Sequence, residues 1–146
     1  MAGAAGAHVG SGPAGVISSE ALGATTVVDA FHAAPNANDT DKCLAMLAGD
    51  VMIFEEGGTE WSRDEYAAHH LEADPSFAAV SGSTISRRAV WAEGDVTWVT
   101  TEGRTTGLVG DPTIDRLTVA TKVLKRGPDG WRIQHIHWSS RAAPDA

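Results

Sequence analysis

Trp131-Arg132-Ile133-Gln134-His135-Ile136-His137-Trp138-Ser139-Ser140-Arg141 is the stretch on which the reading of this chain turns. β-Branched and aromatic residues dominate it, and successive side chains of a strand point to opposite faces. Strict alternation puts Trp131, Ile133, His135, His137 and Ser139 on one face and Arg132, Gln134, Ile136, Trp138 and Ser140 on the other. The first set begins apolar and ends polar, as in a strand that leaves a packed core and enters a pocket. Imidazoles are costly to bury and chemically versatile, so the pair at that transition is the first candidate for function.

Three more strand segments precede it. Residues 84–92 and 96–106 are joined across Glu93-Gly94-Asp95, and residues 114–126 and 131–141 across Gly127-Pro128-Asp129-Gly130. Strands joined by short turns predict an antiparallel sheet, because parallel neighbours need long crossovers. Helical patterns come earlier. Residues 22–34 align Ala24, Val27, Val28 and Phe31 and stop at Pro35; residues 38–48 carry Cys43, Leu44 and Leu47, with Asp39 or Thr40 as cap and Gly49 at the end. A short strand over 51–55 closes at Gly57-Gly58. Ser62 and Glu65 then form a capping box flanked by Trp61 and Tyr66, and the helix runs through His69-His70-Leu71 to Asp74, where Pro75 interrupts it. Helices followed by a twisted antiparallel sheet give the α+β class, with the helices on the concave face and a cavity at the open end.

At 146 residues the chain reads as one domain over 20–141, with a flexible arm over 1–19 and a flexible tail over 142–146. The net charge of −8 argues against nucleic acid as a partner. No apolar run is long enough for a membrane span, and no secretory signal is recognisable, so a cytoplasmic location is expected. A lone cysteine, Cys43, permits no internal disulfide and reads as a buried hydrophobe.

The side chains of His135 and His137 project about 6–7 Å apart on one side of a strand, a spacing that suits a Zn, Cu, Ni or Fe ion. His70 is the natural third ligand; the competing reading is a hydrogen-bonded polar layer with no metal. Tyr66, His70 and Asp74 align at i, i+4 and i+8, so Asp74 is placed to orient the His70 imidazole or simply to end the helix. Glu55 is a pocket carboxylate, or else a solvated strand end. Trp131 is expected beneath the helices, where it would also border a ligand, and Trp138 on the opposite face as a dimer surface.

Two motif blocks resemble one branch of the SnoaL-like proteins of the nuclear transport factor 2 superfamily. They are Phe54 to Phe77, with Glu60-Trp61-Ser62-Arg63-Asp64-Glu65-Tyr66 and His69-His70-Leu71, and the closing Gly130 to Arg141. The resemblance implies a cone-shaped roll, a curved sheet wrapped around the helices, a homodimer, and one deep pocket per subunit for a small organic molecule. The activities it brings are those of isomerases, cyclases, dehydratases and hydrolases, or binding without catalysis. Acid/base chemistry by His135, His137, His70 and Tyr66 is the expectation, possible metal assistance included; the alternative is a non-catalytic ligand- or metal-binding dimeric module. Where the branch carries a Glu in the penultimate strand, this chain has Ala120-Thr121, so any role of that carboxylate is lost.

Overall fold

The long strands form where the turn residues predict them. In a computed structural model, which describes residues 7–10, 19–36, 39–69, 81–107 and 114–144, β4 (Ser81–Glu93) turns through Gly94 into β5 (Val96–Gly107). Similarly, β6 (Asp115–Gly127) turns at Pro128-Asp129 into β7 (Gly130–Ala142). Gly94 and Gly130 take positive φ angles of 58° and 101°, which a Cβ would resist. Arg126 ties the two turns together by donating to the Asp95 carboxylate at 2.7 Å, while its amide donates to the Asp95 carbonyl at 2.8 Å.

Before these strands come β1 (Ala7–Gly10), α1 (Ser19–Asn36), α2 (Thr40–Ala45), β2 (Leu47–Glu55), β3 (Gly58–Glu60) and α3 (Arg63–His69). Among the described residues the strands make one curved, unclosed sheet in the order β1-β4-β5-β6-β7-β2-β3. The architecture is α+β, as expected. The sheet is mixed, however, because β2 lies parallel to β7. The chain crosses the whole domain between these two strands, which removes the short-turn constraint behind the antiparallel expectation. A second difference is β1: residues 7–10, inside the segment read as a flexible arm, pair with Ala92 to Ala89 of β4. Backbone pairing at an edge needs no side-chain periodicity, so the sequence held no signal for it.

α1 lays Ala21, Ala24, Val28, Phe31 and Ala34 onto the sheet, and all five are buried. It continues past the expected stop to Asn36. Gly23 lets the helix settle on Trp131, since a Cβ there would lie 2.8 Å from the indole. Asp39 caps α2 by accepting from the Lys42 amide at 3.1 Å. The capping box of α3 forms one residue out of register: Ser62 accepts from the Glu65 amide at 3.1 Å, while Glu65 accepts from the Trp61 amide at 2.7 Å. Cys43, the single cysteine, is buried in the core as expected.

The face of β7 is the decisive departure. Between Leu124, opposite Ile133, and Val123, opposite His135, the register skips Gln134, a β-bulge. The Gln134 amide is drawn aside to the Asp50 carbonyl at 3.2 Å and carboxylate at 3.1 Å. Meanwhile the Ile133 amide donates to Met46 at 2.8 Å. An extra residue on one strand reverses the alternation beyond it. Ile133 and Ile136 are therefore both fully buried on the helix side, and Trp138 follows Ile136 onto that inner face. His135 and His137 are carried to the outer one.

Candidate functional site

Neighbouring strand positions define the two faces. Across the inner face run Val90, Val99, Lys122, Ile136 and Ile53, followed by Arg88, Thr101, Ala120, Trp138 and Glu55. Across the outer face run Trp91, Trp98, Val123, His135 and Met52, followed by Ala89, Thr100, Thr121, His137 and Phe54.

On the outer face, the His135 Nδ1–H donates to the Met52 carbonyl at 2.8 Å, the only role that a carbonyl partner allows it. The Phe54 ring stands edge-on to His135 at 5.1 Å and to His137 at 6.1 Å, and meets Trp61 at 5.6 Å. Trp91 and Trp98 stack nearly parallel with centroids 5.2 Å apart. A recess of about 470 Å³ opens on this face, with Arg87, Thr100, Glu102, Thr121, His137 and Ser139 on its walls. The expected meeting of His135 and His137 with helical side chains in an enclosed chamber is thus corrected: the bulge at Gln134 turns them away from the helices. Among the described residues no group of three or more His, Cys, Asp or Glu could hold a metal ion. His70 and Asp74 lie outside the described residues.

The other sequence candidates separate. Tyr66 is fully buried against Phe31, centroids 6.5 Å apart. Trp131 packs beneath α1 as expected, with the Arg126 guanidinium 5.4 Å above its ring. It belongs to the far end of β7 from Trp138. Trp138, expected on the face away from the helices, instead packs against the core and faces Lys122. Glu55 pairs with Trp138 in the parallel register, half-buried. Glu56, next to it, has a positive φ of 49° and accepts from the Ser140 amide at 2.8 Å.

What the inner face brings together is a cluster of cations. Lys122 is 1% exposed, and its Nζ lies 5.7 Å from the Trp138 ring centroid. Nζ has no hydrogen-bond partner among the described residues. Exclusion of water, then the neighbouring Arg88 charge, pushes its pKa down to about 8. Arg88 reaches α1, where Nη1 meets the Asp29 carboxylate at 2.9 Å; its Nε and Nη2 are buried without hydrogen-bond partners among the described residues. His32, one turn beyond Asp29, is held far below its ordinary value, at about 3, by exclusion of water and then by Lys122 and Arg88. Much of its surface nevertheless reaches solvent. Buried donors without partners are uncommon, and a group of them on one face is an unfilled demand for acceptors.

Sequence reasoning passed over this group. In β6 the inner positions read Ala120, Lys122, Leu124. A Lys alternating with small and apolar residues was the available signal, since lysine is almost never fully buried without cause. In α1 the signal was Asp29 and His32 at i, i+3 beside the apolar stripe.

The SnoaL-like domain pattern matches residues 25–144. The chain belongs to the SnoaL-like family. Among solved structures, this SnoaL-like protein is similar to one from Shewanella frigidimarina NCIMB 400, described provisionally as a ketosteroid isomerase. The two are 34% identical with a TM-score of 0.75, covering 83% of this chain and 98% of the other. A protein of the nuclear transport factor 2-like family from Streptomyces avermitilis, described provisionally as a dehydratase, is 22% identical with a TM-score of 0.66, over 82% and 94% of the two chains. The CaMKII hub of S. rosetta has the same fold at 20% identity and a TM-score of 0.71, over 86% of this chain and all, 100%, of that one. No curated protein matches the SnoaL-like chain.

Proposed function

We propose that the protein is a small-molecule enzyme that moves a proton next to a carbonyl group, with its ligand held between α1 and the inner face of the sheet. The carrying observation is the convergence of Lys122, Arg88 and His32 there, with the Lys122 ammonium and two Arg88 nitrogens lacking partners. Negative charge that develops on a carbonyl oxygen during α-proton removal is stabilised most by donors already fixed in a dry site. Lys122, with a pKa near 8, is matched to proton exchange close to neutral pH. Glu55, on the same face beside Trp138, is the carboxylate we assign as base. His32 is neutral at that pH and serves as a hydrogen-bonding relay. The descriptions of the Shewanella and Streptomyces proteins as isomerase and dehydratase agree with this chemistry, since both reactions start by breaking a C–H bond beside an activating group.

Incubation of the protein with a panel of cyclic β,γ-unsaturated ketones in D2O tests this reading by proton NMR. At least one ketone should exchange its α-hydrogens faster than in buffer. Glu55→Gln and Lys122→Met should each slow that exchange by about 10²-fold or more. Exchange at the buffer rate across the panel, or full activity in both variants, would remove the proposal.

One observation favours an assembly role for the other face. Trp91, Trp98, Phe54 and the 58%-exposed Trp61 line a broad apolar strip that a solitary soluble domain rarely shows. We therefore assign the expected homodimer contact to the outer face, with His135 and His137 in it, in place of Trp138. Trp98→Asp should convert a dimer seen by sedimentation into a monomer; an unchanged sedimentation coefficient would return the dimer contact to some other surface.

A further inference from the structure

We infer that the inner face of the sheet binds the carboxylate of a small, largely apolar monocarboxylic acid, held between Lys122 and Arg88 beside the short side chains of Thr101 and Ala120. This rests on the reading of the inner face as the ligand site, and it names the class of molecule that fills it.

Three observations converge. The first is geometric. Arg88, Thr101, Ala120 and Trp138 are neighbours across four adjacent strands, so two short side chains lie between two long ones over a span of about 14 Å. Lys122 stands two residues along β6 from Ala120 and reaches toward Trp138 on the same face. The second is charge. Lys122 and Arg88 carry two positive charges and His32 is neutral, while two carboxylates stand near them: Asp29, 61% exposed, on Nη1 of Arg88, and Glu55 beside Trp138. Neither hydrogen-bonds to Lys122 Nζ, Arg88 Nε or Arg88 Nη2, so a monoanion seated against these buried donors would offset charge that water cannot reach. The third is the set of open donors: Lys122 Nζ, Arg88 Nε and Arg88 Nη2. Nε and Nη2 form the edge of a guanidinium that grips both oxygens of a carboxylate, and Lys122 supplies a further donor. A neutral carbonyl would satisfy part of this set and none of the charge. Val90, Val99 and the Trp138 ring border the cations on the same face, so the remainder of the molecule meets apolar surface.

Ala120 supplies a control from within the chain. A carboxylate placed there would stand between Arg88 and Lys122 and act as a tethered substitute for the ligand.

The experiment is calorimetric titration of the full chain with benzoate, with its neutral isostere benzamide, and with inorganic phosphate. Benzoate should bind at one per chain, at least tenfold tighter than benzamide or phosphate. Lys122→Met should weaken benzoate by at least 30-fold and leave benzamide unchanged. Ala120→Glu should abolish benzoate binding while the protein keeps its melting transition, which separates a filled site from an unfolded one. His137→Ala should bind benzoate as the parent does. The inference is overturned if benzoate fails to bind, if benzamide binds equally well, or if benzoate affinity survives Lys122→Met or Ala120→Glu. Ketone exchange that persists in a protein indifferent to benzoate would overturn this inference alone; loss of both would overturn the proposed function with it.

Discussion

On one side of the sheet Lys122 Nζ and two Arg88 nitrogens are buried with no hydrogen-bond acceptor among the described residues. On the other, His135 and His137 stand at the surface side with Phe54 against their edges, and His135 is already committed to a carbonyl. The two regions are separated by one strand thickness and differ in what surrounds an ionisable group. The outer imidazoles border solvent, and His135 also has a backbone acceptor. Of the inner groups, Lys122 has lost water and gained the Trp138 ring, and Arg88 has gained one exposed carboxylate, Asp29; this is the kind of place where charge can do chemistry. The comparison shows that residue type is a weak guide to function beside the face on which a residue falls.

The most severe way to break this contrast is to insert one alanine between His135 and Ile136. Alternation beyond the insertion then turns His137 toward the helices and Ile136 and Trp138 outward. That buries a polar group and exposes core, and should cost more than about 5 kcal/mol, enough to abolish cooperative melting. A variant that melts within a few degrees of the parent would mean that alternation past the bulge does not fix the faces. Next in size, Ile136→Ala should destabilise by about 2–5 kcal/mol, whereas His137→Ala, one residue on, should stay within about 0.5 kcal/mol. Urea denaturation of the two variants checks the pair, and equal losses would contradict the assignment of faces.

The smallest effect sharpens the comparison through pH. His32 is neutral when folded down to about pH 3 but takes up a proton in the unfolded chain near its ordinary value of 6.5. Its contribution is therefore fully present above about pH 6.5 and is lost as pH falls from there toward 3, because the unfolded state binds the proton first. Melting temperature should decline over that window and decline less steeply in His32→Gln, with His137→Ala following the parent. Parallel curves for the parent and His32→Gln would remove His32 from the inner group.

The hairpins, the caps and the helix faces were legible because each is written in nearby residues. Gly94 and Gly130 meet backbone requirements at their own positions, and Ser62 with Glu65 or Asp39 with Lys42 act within one turn. The direction of His135 was not legible, because the bulge before it is set by Asp50 and Met46 from the other end of the domain. Strict alternation was a sound rule applied across a position where tertiary contacts suspended it. The parallel approach of β2 to β7 escaped for the same reason. Ala120 was legible as a missing carboxylate, but its meaning depended on Arg88 and Lys122 facing the same way. That follows only from register across three strands.

The outermost strands, β1 with four residues and β3 with three, are shorter than the strands beside them, β4 with thirteen and β2 with nine. Long bare margins invite ribbon-like growth, one molecule templating the next through its backbone. Here β1 covers Ala89 to Ala92 of β4 and β3 covers Ile53 to Glu55 of β2. Over those stretches an incoming strand would find only three or four residues to pair with, too few to extend the ribbon.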